Sequence, residues 1–141
     1  MKKGVMLIFT LFIPIFVYLK MPLMAQEASL PIDIEEYQGI KYFSGGFGYD
    51  ERDNLRKMGK NYGLKLVFSV KSGEYLADVG VQIVTSEGKT LLETVSKGPW
   101  FYARLSPGNY TVKAGSGGIT QSKEARVGQG GQTMLHFVWG K

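Results

Sequence analysis

The chain contains no cysteine and only one histidine. The lack of cysteine excludes a disulfide framework, a thiolate nucleophile and any zinc or iron–sulfur site built on cysteine. One histidine excludes every mechanism that needs two imidazoles. A large excess of one charge is also missing. Three of the 17 basic residues lie within the first 20 positions, which leaves 14 basic and 12 acidic residues from residue 26 onward. Nucleic acid is therefore not an expected partner.

The first 25 residues have the pattern of a secretory signal peptide. Lys2 and Lys3 precede an apolar run over residues 4–19, and Ala25 stands before a polar stretch. We predict cleavage near Ala25 and a periplasmic or secreted protein that is not integral to the membrane after cleavage. The alternative is a retained membrane anchor, but the run is shorter than the roughly 20 residues that span a bilayer and contains Pro14.

The next segments are predicted as a leader and a helix. Residues 26–44 are predicted to form an extended leader that ends in a short strand docked on the domain, and residues 45–63 a glycine-rich turn followed by one helix. Asp50 is the predicted N-cap, and Gly63 fits the position that ends a helix. One apolar stripe follows the helical period: Leu55, Met58 and Tyr62.

From residue 64 onward the hydrophobic period changes to two. Short alternating segments are separated by glycine-rich turns, a pattern typical of a β-sandwich. No stretch between the segments is long enough for a crossover helix, which argues against a parallel sheet. The predicted strands are 64–70, 79–84, 90–95, 100–105, 110–114, 119–127 and 132–139.

Residues 98–112 predict an aromatic corner of the domain. Trp100 and Tyr102 fall on one side of a strand by alternation, and Leu105 follows them. The tight turn Pro107–Gly108 then leads into Tyr110. We expect Trp100, Tyr102 and Tyr110 to lie in the core of the sandwich.

This corner resembles that of the carboxypeptidase regulatory-like domains, G-x-F-x-F-x-x-L-x-P-G-x-Y-x-V. The matching residues are Gly98, Leu105, Pro107, Gly108, Tyr110 and Val112, with Trp100 and Tyr102 in place of the two phenylalanines. The resemblance covers about residues 64–139 and implies a mainly β, seven-stranded transthyretin-like (immunoglobulin-like) sandwich, here with one short helix before it. It also implies a non-catalytic exported binding or envelope-accessory module over residues 64–141. The expected partner is a protein of unknown identity or a cell-envelope glycan.

Basic residues on the predicted helix form the candidate interaction surface. Arg52, Arg56 and Lys60 recur at every fourth position, opposite the apolar stripe, and this basic face suits an anionic surface.

No cofactor or metal site is predicted. The Gly45–Gly48 turn lacks the lysine and hydroxyl residue of a phosphate-binding loop. Asp50, Glu51 and Asp53 do not have the spacing of a calcium loop, and the helix dipole accounts for acidic residues in a first turn.

Two alternatives to a protein-binding module remain open. The aromatic residues Trp100, Tyr102, Tyr110 and Trp139 offer sugar-stacking faces for a carbohydrate- or peptidoglycan-binding module. The transthyretin-like fold also includes 5-hydroxyisourate hydrolases, whose site needs more than one histidine. Here His136 stands alone, with no base partner for a nucleophile recognisable in the sequence, and we predict no catalytic residues.

An exposed sheet edge is a further binding hypothesis. Such an edge accepts a strand from another protein, and residues 26–44 are predicted to cover it.

Overall fold

The computed structural model describes residues 32–140. The predicted signal peptide and residues 26–31 of the predicted leader lie outside this range. Within it, no helix combines the length and apolarity needed to cross a bilayer.

Strands dominate the described chain, with one short α-helix. In chain order the elements are β1 (Glu35–Tyr37), β2 (Ile40–Gly45), α1 (Tyr49–Met58), β3 (Leu64–Val70), β4 (Val79–Thr85), β5 (Thr90–Ser96), β6 (Trp100–Ala103), β7 (Gly108–Ser116), β8 (Ile119–Val127) and β9 (Thr133–Trp139). A single 3-10 turn, Gly59–Asn61, follows α1.

The strands form two sheets, which confirms the prediction of a mainly β sandwich with one short helix. Sheet A has the order β1-β2-β6-β3-β9, and sheet B has the order β5-β4-β7-β8. Residues 32–140 contain nine strands rather than the predicted seven, because the hairpin of β1 and β2 lies within the segment predicted as a leader. β2 pairs with β6, so residues 40–45 are an interior strand of sheet A.

One strand pair departs from the expected antiparallel arrangement. β3 and β9 run parallel over their full length, from Leu64 beside Thr133 to Val70 beside Trp139. The lack of crossover helices argued against parallel strands. Here the chain between β3 and β9 runs through β4 and β5 of sheet B, β6 of sheet A, and β7 and β8 of sheet B, so strands alone make the connection.

Alternate residues of both sheets fill the space between them. On β3, Leu64, Leu66 and Phe68 point inward and are fully buried, as are Val81 and Ile83 of β4. This period-two pattern is the sequence signal that predicted the strands.

A second apolar cluster lies on the outer face of sheet A, beneath α1. Its buried members are Phe43, Leu55, Tyr62, Val67, Trp100 and Tyr102. The prediction that Trp100 and Tyr102 are buried is confirmed, but they pack under the helix and not between the sheets. Their neighbours Phe101 and Ala103 face the sheet-B side, so every residue of β6 is buried.

The helix ends differ from the predicted ones. Gly48 and not Asp50 occupies the N-cap, and its carbonyl accepts a hydrogen bond from the backbone N–H of Arg52 at 3.0 Å. Gly59 and not Gly63 is the C-cap, because the chain tightens there into the 3-10 turn and continues to Asn61. Gln132 closes this end, since its amide donates to the carbonyls of Gly59 (2.8 Å) and Tyr62 (2.9 Å).

The predicted corner turns the chain from β6 into β7. Leu105 is buried, and Pro107 precedes Gly108, the first residue of β7. The Tyr110 hydroxyl donates a hydrogen bond of 2.6 Å to the Ser106 carbonyl, while its half-buried ring packs against the inter-sheet core. Burial raises the pKa of Tyr110 above its usual range.

Candidate functional site

Two exposed tyrosine rings flank an arginine in the first turn of α1, and the exposed Phe47 precedes this helix. Phe47 and Tyr49 lie at the start of α1, and Tyr75 lies in the loop after β3; their side chains are 58%, 85% and 42% exposed. The guanidinium carbon of Arg52 lies 4.6 Å from the Tyr49 ring centre and 5.4 Å from that of Tyr75, both within cation–π range. We call Phe47, Tyr49, Arg52 and Tyr75 the aromatic–arginine surface.

Hydrogen bonds to the preceding turn hold Arg52 in place. Its Nη1 donates to the Gly46 carbonyl at 2.7 Å and to the Phe47 carbonyl at 3.1 Å. Gly46 has a φ of +105°, and a Cβ added there would lie 3.3 Å from Trp100 and 3.4 Å from the Arg52 side chain. The turn therefore requires glycine at this position, both for its backbone conformation and for its close packing.

The charge of Arg52 has no carboxylate partner in the described part of the chain. The ion pairs among residues 32–140 join Arg56 to Asp53 and Lys97 to Glu35. Arg52 is half-buried and lies between aromatic rings, where an unpaired cation attracts an anion more strongly than in open solvent.

The three predicted basic residues do not share one environment. Arg52 belongs to the aromatic–arginine surface, whereas Arg56 is exposed, bonds to Asp53 at 2.8 Å and lies over the Trp100 ring at 5.5 Å. Lys60 lies beside a shallow groove near the opposite end of α1, with Leu105, Pro107 and the loop 128–131.

The cluster beneath α1 contains charged and polar groups in an apolar setting. Lys65 Nζ lies 3.6 Å from the centre of the Trp100 ring, and burial, with Arg56 as a smaller cause, lowers the pKa of Lys65. Among residues 32–140, the buried Trp100 Nε1 and Tyr102 hydroxyl have no hydrogen-bond partner. Burial raises the pKa of Tyr102 to about 12, with Arg56 acting in the opposite direction.

A serine and the histidine meet across β3 and β9. Ser69 Oγ and His136 Nε2 are 2.7 Å apart, so the histidine has a hydroxyl partner that was not predicted, because the parallel pairing of β3 and β9 leaves no signal in the sequence. Ser69 is only 4% exposed, beneath the exposed His136. The hydrogen bonds of residues 32–140 give His136 no carboxylate to orient it, and no group of three metal-ligating side chains occurs in that range.

Side chains from β8 cover the outer edge of β9. Lys123 donates to the His136 carbonyl, and Gln121 donates to the Val138 carbonyl at 2.7 Å. This arrangement blocks two of the positions at which an added strand would bond to the edge.

The aromatic residues considered for sugar stacking are not available for it. Trp100, Tyr102 and Trp139 are buried, and Tyr110 is half-buried and bonded to Ser106. The exposed Tyr49 and Tyr75 were missed. Their sequence signal is weak: Tyr49 directly follows a glycine-rich turn, Tyr75 lies in a polar loop, and neither belongs to a strand alternation. No protein-family model and no curated protein matches the chain.

Proposed function

We propose that the protein is a non-catalytic, exported binding module whose ligand contacts the aromatic–arginine surface. The observation that carries this proposal is the pair of exposed tyrosine rings, Tyr49 and Tyr75, on either side of a half-buried, unpaired arginine, with the exposed Phe47 in the adjoining turn. Water-exposed rings of this size contribute to folding far less than buried ones, and their clustering is typical of a surface that a partner covers.

The architecture supports the same function. The surface is built from the turn before α1, the first turn of α1 and the loop after β3, and a two-sheet scaffold holds these segments in place. Binding residues are commonly displayed on such loops. The sandwich and the corner around Tyr110 are compatible with a carboxypeptidase regulatory-like, transthyretin-like domain, and the predicted signal peptide supports an envelope or secreted location.

Binding to defined cell-envelope polymers tests this function. The mature chain from residue 26 is sedimented with insoluble peptidoglycan and run in native gels containing cell-surface polysaccharide. We expect retention by at least one polymer and at least a roughly tenfold weaker affinity in the double variant Tyr49→Ala/Tyr75→Ala, since each ring supplies about 1 kcal/mol or more of contact.

Val95→Ala is the matched control, because Val95 is 55% exposed on β5 of sheet B, away from the surface. Equal retention of the wild type and the double tyrosine variant would contradict the proposal, and so would the absence of binding to every polymer.

The Ser69–His136 contact favours hydrolysis as a second candidate function. The 2.7 Å separation is within reach for a nucleophile and its base, but the buried hydroxyl and the lack of an orienting carboxylate in residues 32–140 place it below binding. Turnover of activated esters that is lost in both Ser69→Ala and His136→Ala would establish it.

A further inference from the structure

We propose that the ligand of the aromatic–arginine surface is an acidic saccharide, with a pyranose ring stacked on the exposed aromatic rings and its carboxylate bound by Arg52. This inference rests on the proposed binding function and names the chemical class of the ligand.

The hydrogen bonds of Arg52 leave one edge of its guanidinium available. A guanidinium has five N–H donors, and the two on Nη1 match the two carbonyls of the turn, Gly46 and Phe47. In the described chain, Nε and Nη2 have no partner. These two nitrogens form the side-on edge that binds the two oxygens of a carboxylate.

No carboxylate of residues 32–140 forms an ion pair with Arg52, and Asp53, on the same helix, is paired with Arg56. A ligand carboxylate would therefore be the first ion-pair partner of this cation, in a setting where the flanking rings exclude part of the water. The turn already fixes the guanidinium, so little side-chain entropy is lost on binding.

The aromatic rings favour a saccharide over a peptide. Tyr49 is 85% exposed and Phe47 is 58% exposed, so their rings project into solvent and do not line a pocket. Apolar peptide side chains gain most of their affinity by filling pockets, whereas the flat C–H face of a pyranose gains its contact by lying on an exposed ring.

The test compares three polymers by affinity electrophoresis and calorimetry. Polygalacturonate carries a carboxylate on each pyranose ring, its methyl ester has the same rings without charge, and poly-L-glutamate has carboxylates without rings. We expect the wild type to bind polygalacturonate at least about tenfold more tightly than either control polymer, the effect of losing one charge-assisted bidentate contact.

Two variants divide the contributions. Arg52→Gln retains a donor for the turn but loses the charge, and Arg52→Lys retains the charge but loses the planar fork. Both are expected to reduce the preference for acid over ester by about tenfold while keeping weak binding to the ester. Unfolding midpoints establish whether each variant is folded. The comparison of the three polymers uses the wild type and therefore does not depend on the folding of the variants.

The outcomes separate this inference from the proposed function. Equal affinity for polygalacturonate and its ester, lost in Tyr49→Ala/Tyr75→Ala, would overturn the acidic class and leave the binding function standing. Equal affinity for poly-L-glutamate would show attraction by charge alone and would also overturn it, as would no binding to polygalacturonate. Binding to polygalacturonate that is unaffected by the tyrosine substitutions would contradict both proposals.

Discussion

Gly59 packs flat against the ring of Tyr102, so closely that a Cβ on the glycine would overlap the ring carbons. This contact joins the end of α1 to the centre of sheet A, because Tyr102 lies on β6 between β2 and β3. The 3-10 turn that begins at Gly59 allows the chain to reach β3 directly from this point.

Gly59→Ala is expected to destabilise the fold by about 1–3 kcal/mol, the usual cost of overpacking. Helix propensity alone predicts the opposite, because alanine is favoured over glycine at the right-handed φ of −81°. Urea unfolding measures the difference. Gly131→Ala is the control, since a Cβ there meets open space; a Gly59→Ala variant as stable as the wild type would contradict the close packing.

Tyr102 is expected to make the fold sensitive to alkali. Its folded-state pKa is about 12 against an ordinary value of 10.0, so between these pH values the unfolded chain releases a proton that the folded chain retains. Stability should therefore fall as pH rises from about 10 to about 12, by on the order of 2 kcal/mol, and this part of the loss should be absent in Tyr102→Phe. The exposed Tyr49→Phe is the control. Identical pH profiles for the wild type and Tyr102→Phe would show that the hydroxyl is not desolvated.

His136→Phe is expected to cost about 1–3 kcal/mol, because a ring still covers Ser69 but no longer offers a hydrogen-bond partner to its buried hydroxyl. Adding Ser69→Ala should recover most of that loss, since the unpaired group is then removed. The double-mutant cycle is measured by thermal and urea unfolding. Additive effects of the two substitutions would mean that the hydrogen bond contributes little to stability.

Opening the edge of β9 is expected to cause self-association. Gln121→Val/Lys123→Val removes the side chains that bond to the His136 and Val138 carbonyls, and Val138 is itself 41% exposed. Sedimentation velocity at increasing concentration should show dimers or larger species in this variant only. Ser122→Val, on the same strand but on its other face, is the control; a double variant that stays monomeric would show that the edge is protected in another way.

The strands were predictable because their period of two survives in the sequence. The segments 64–70 and 119–127 were predicted with the same bounds as β3 and β8, and the bounds of the other predicted strands differ from the observed ones by a few residues at most. Turn chemistry gave the corner at Pro107–Gly108, and the helix was recognisable from the stripe of Leu55, Met58 and Tyr62. The hairpin of β1 and β2 was not, since residues 26–44 show no regular alternation and predict only one short strand at their end.

The candidate site was only partly predictable. Arg52 was singled out as one of three similar cations, but its contacts with Tyr49 and Tyr75 distinguish it from Arg56 and Lys60. Tyr75 follows Arg52 by 23 positions. The loop after β3 brings its ring next to the arginine. Sequence periodicity describes one element at a time and carries no information on such meetings.

The sequence alone determined that this chain forms short strands with one helix, because alternation of apolar residues and turn residues are local properties. Only the tertiary structure decided which face of β6 meets which layer. Both faces of β6 are buried, so its residues are apolar throughout and show no alternation in the sequence. Trp100 nevertheless packs under the helix, whereas Phe101 packs between the sheets. The parallel pairing that joins Ser69 to His136 is likewise a consequence of long-range packing, which depends on the positions of all the strands at once.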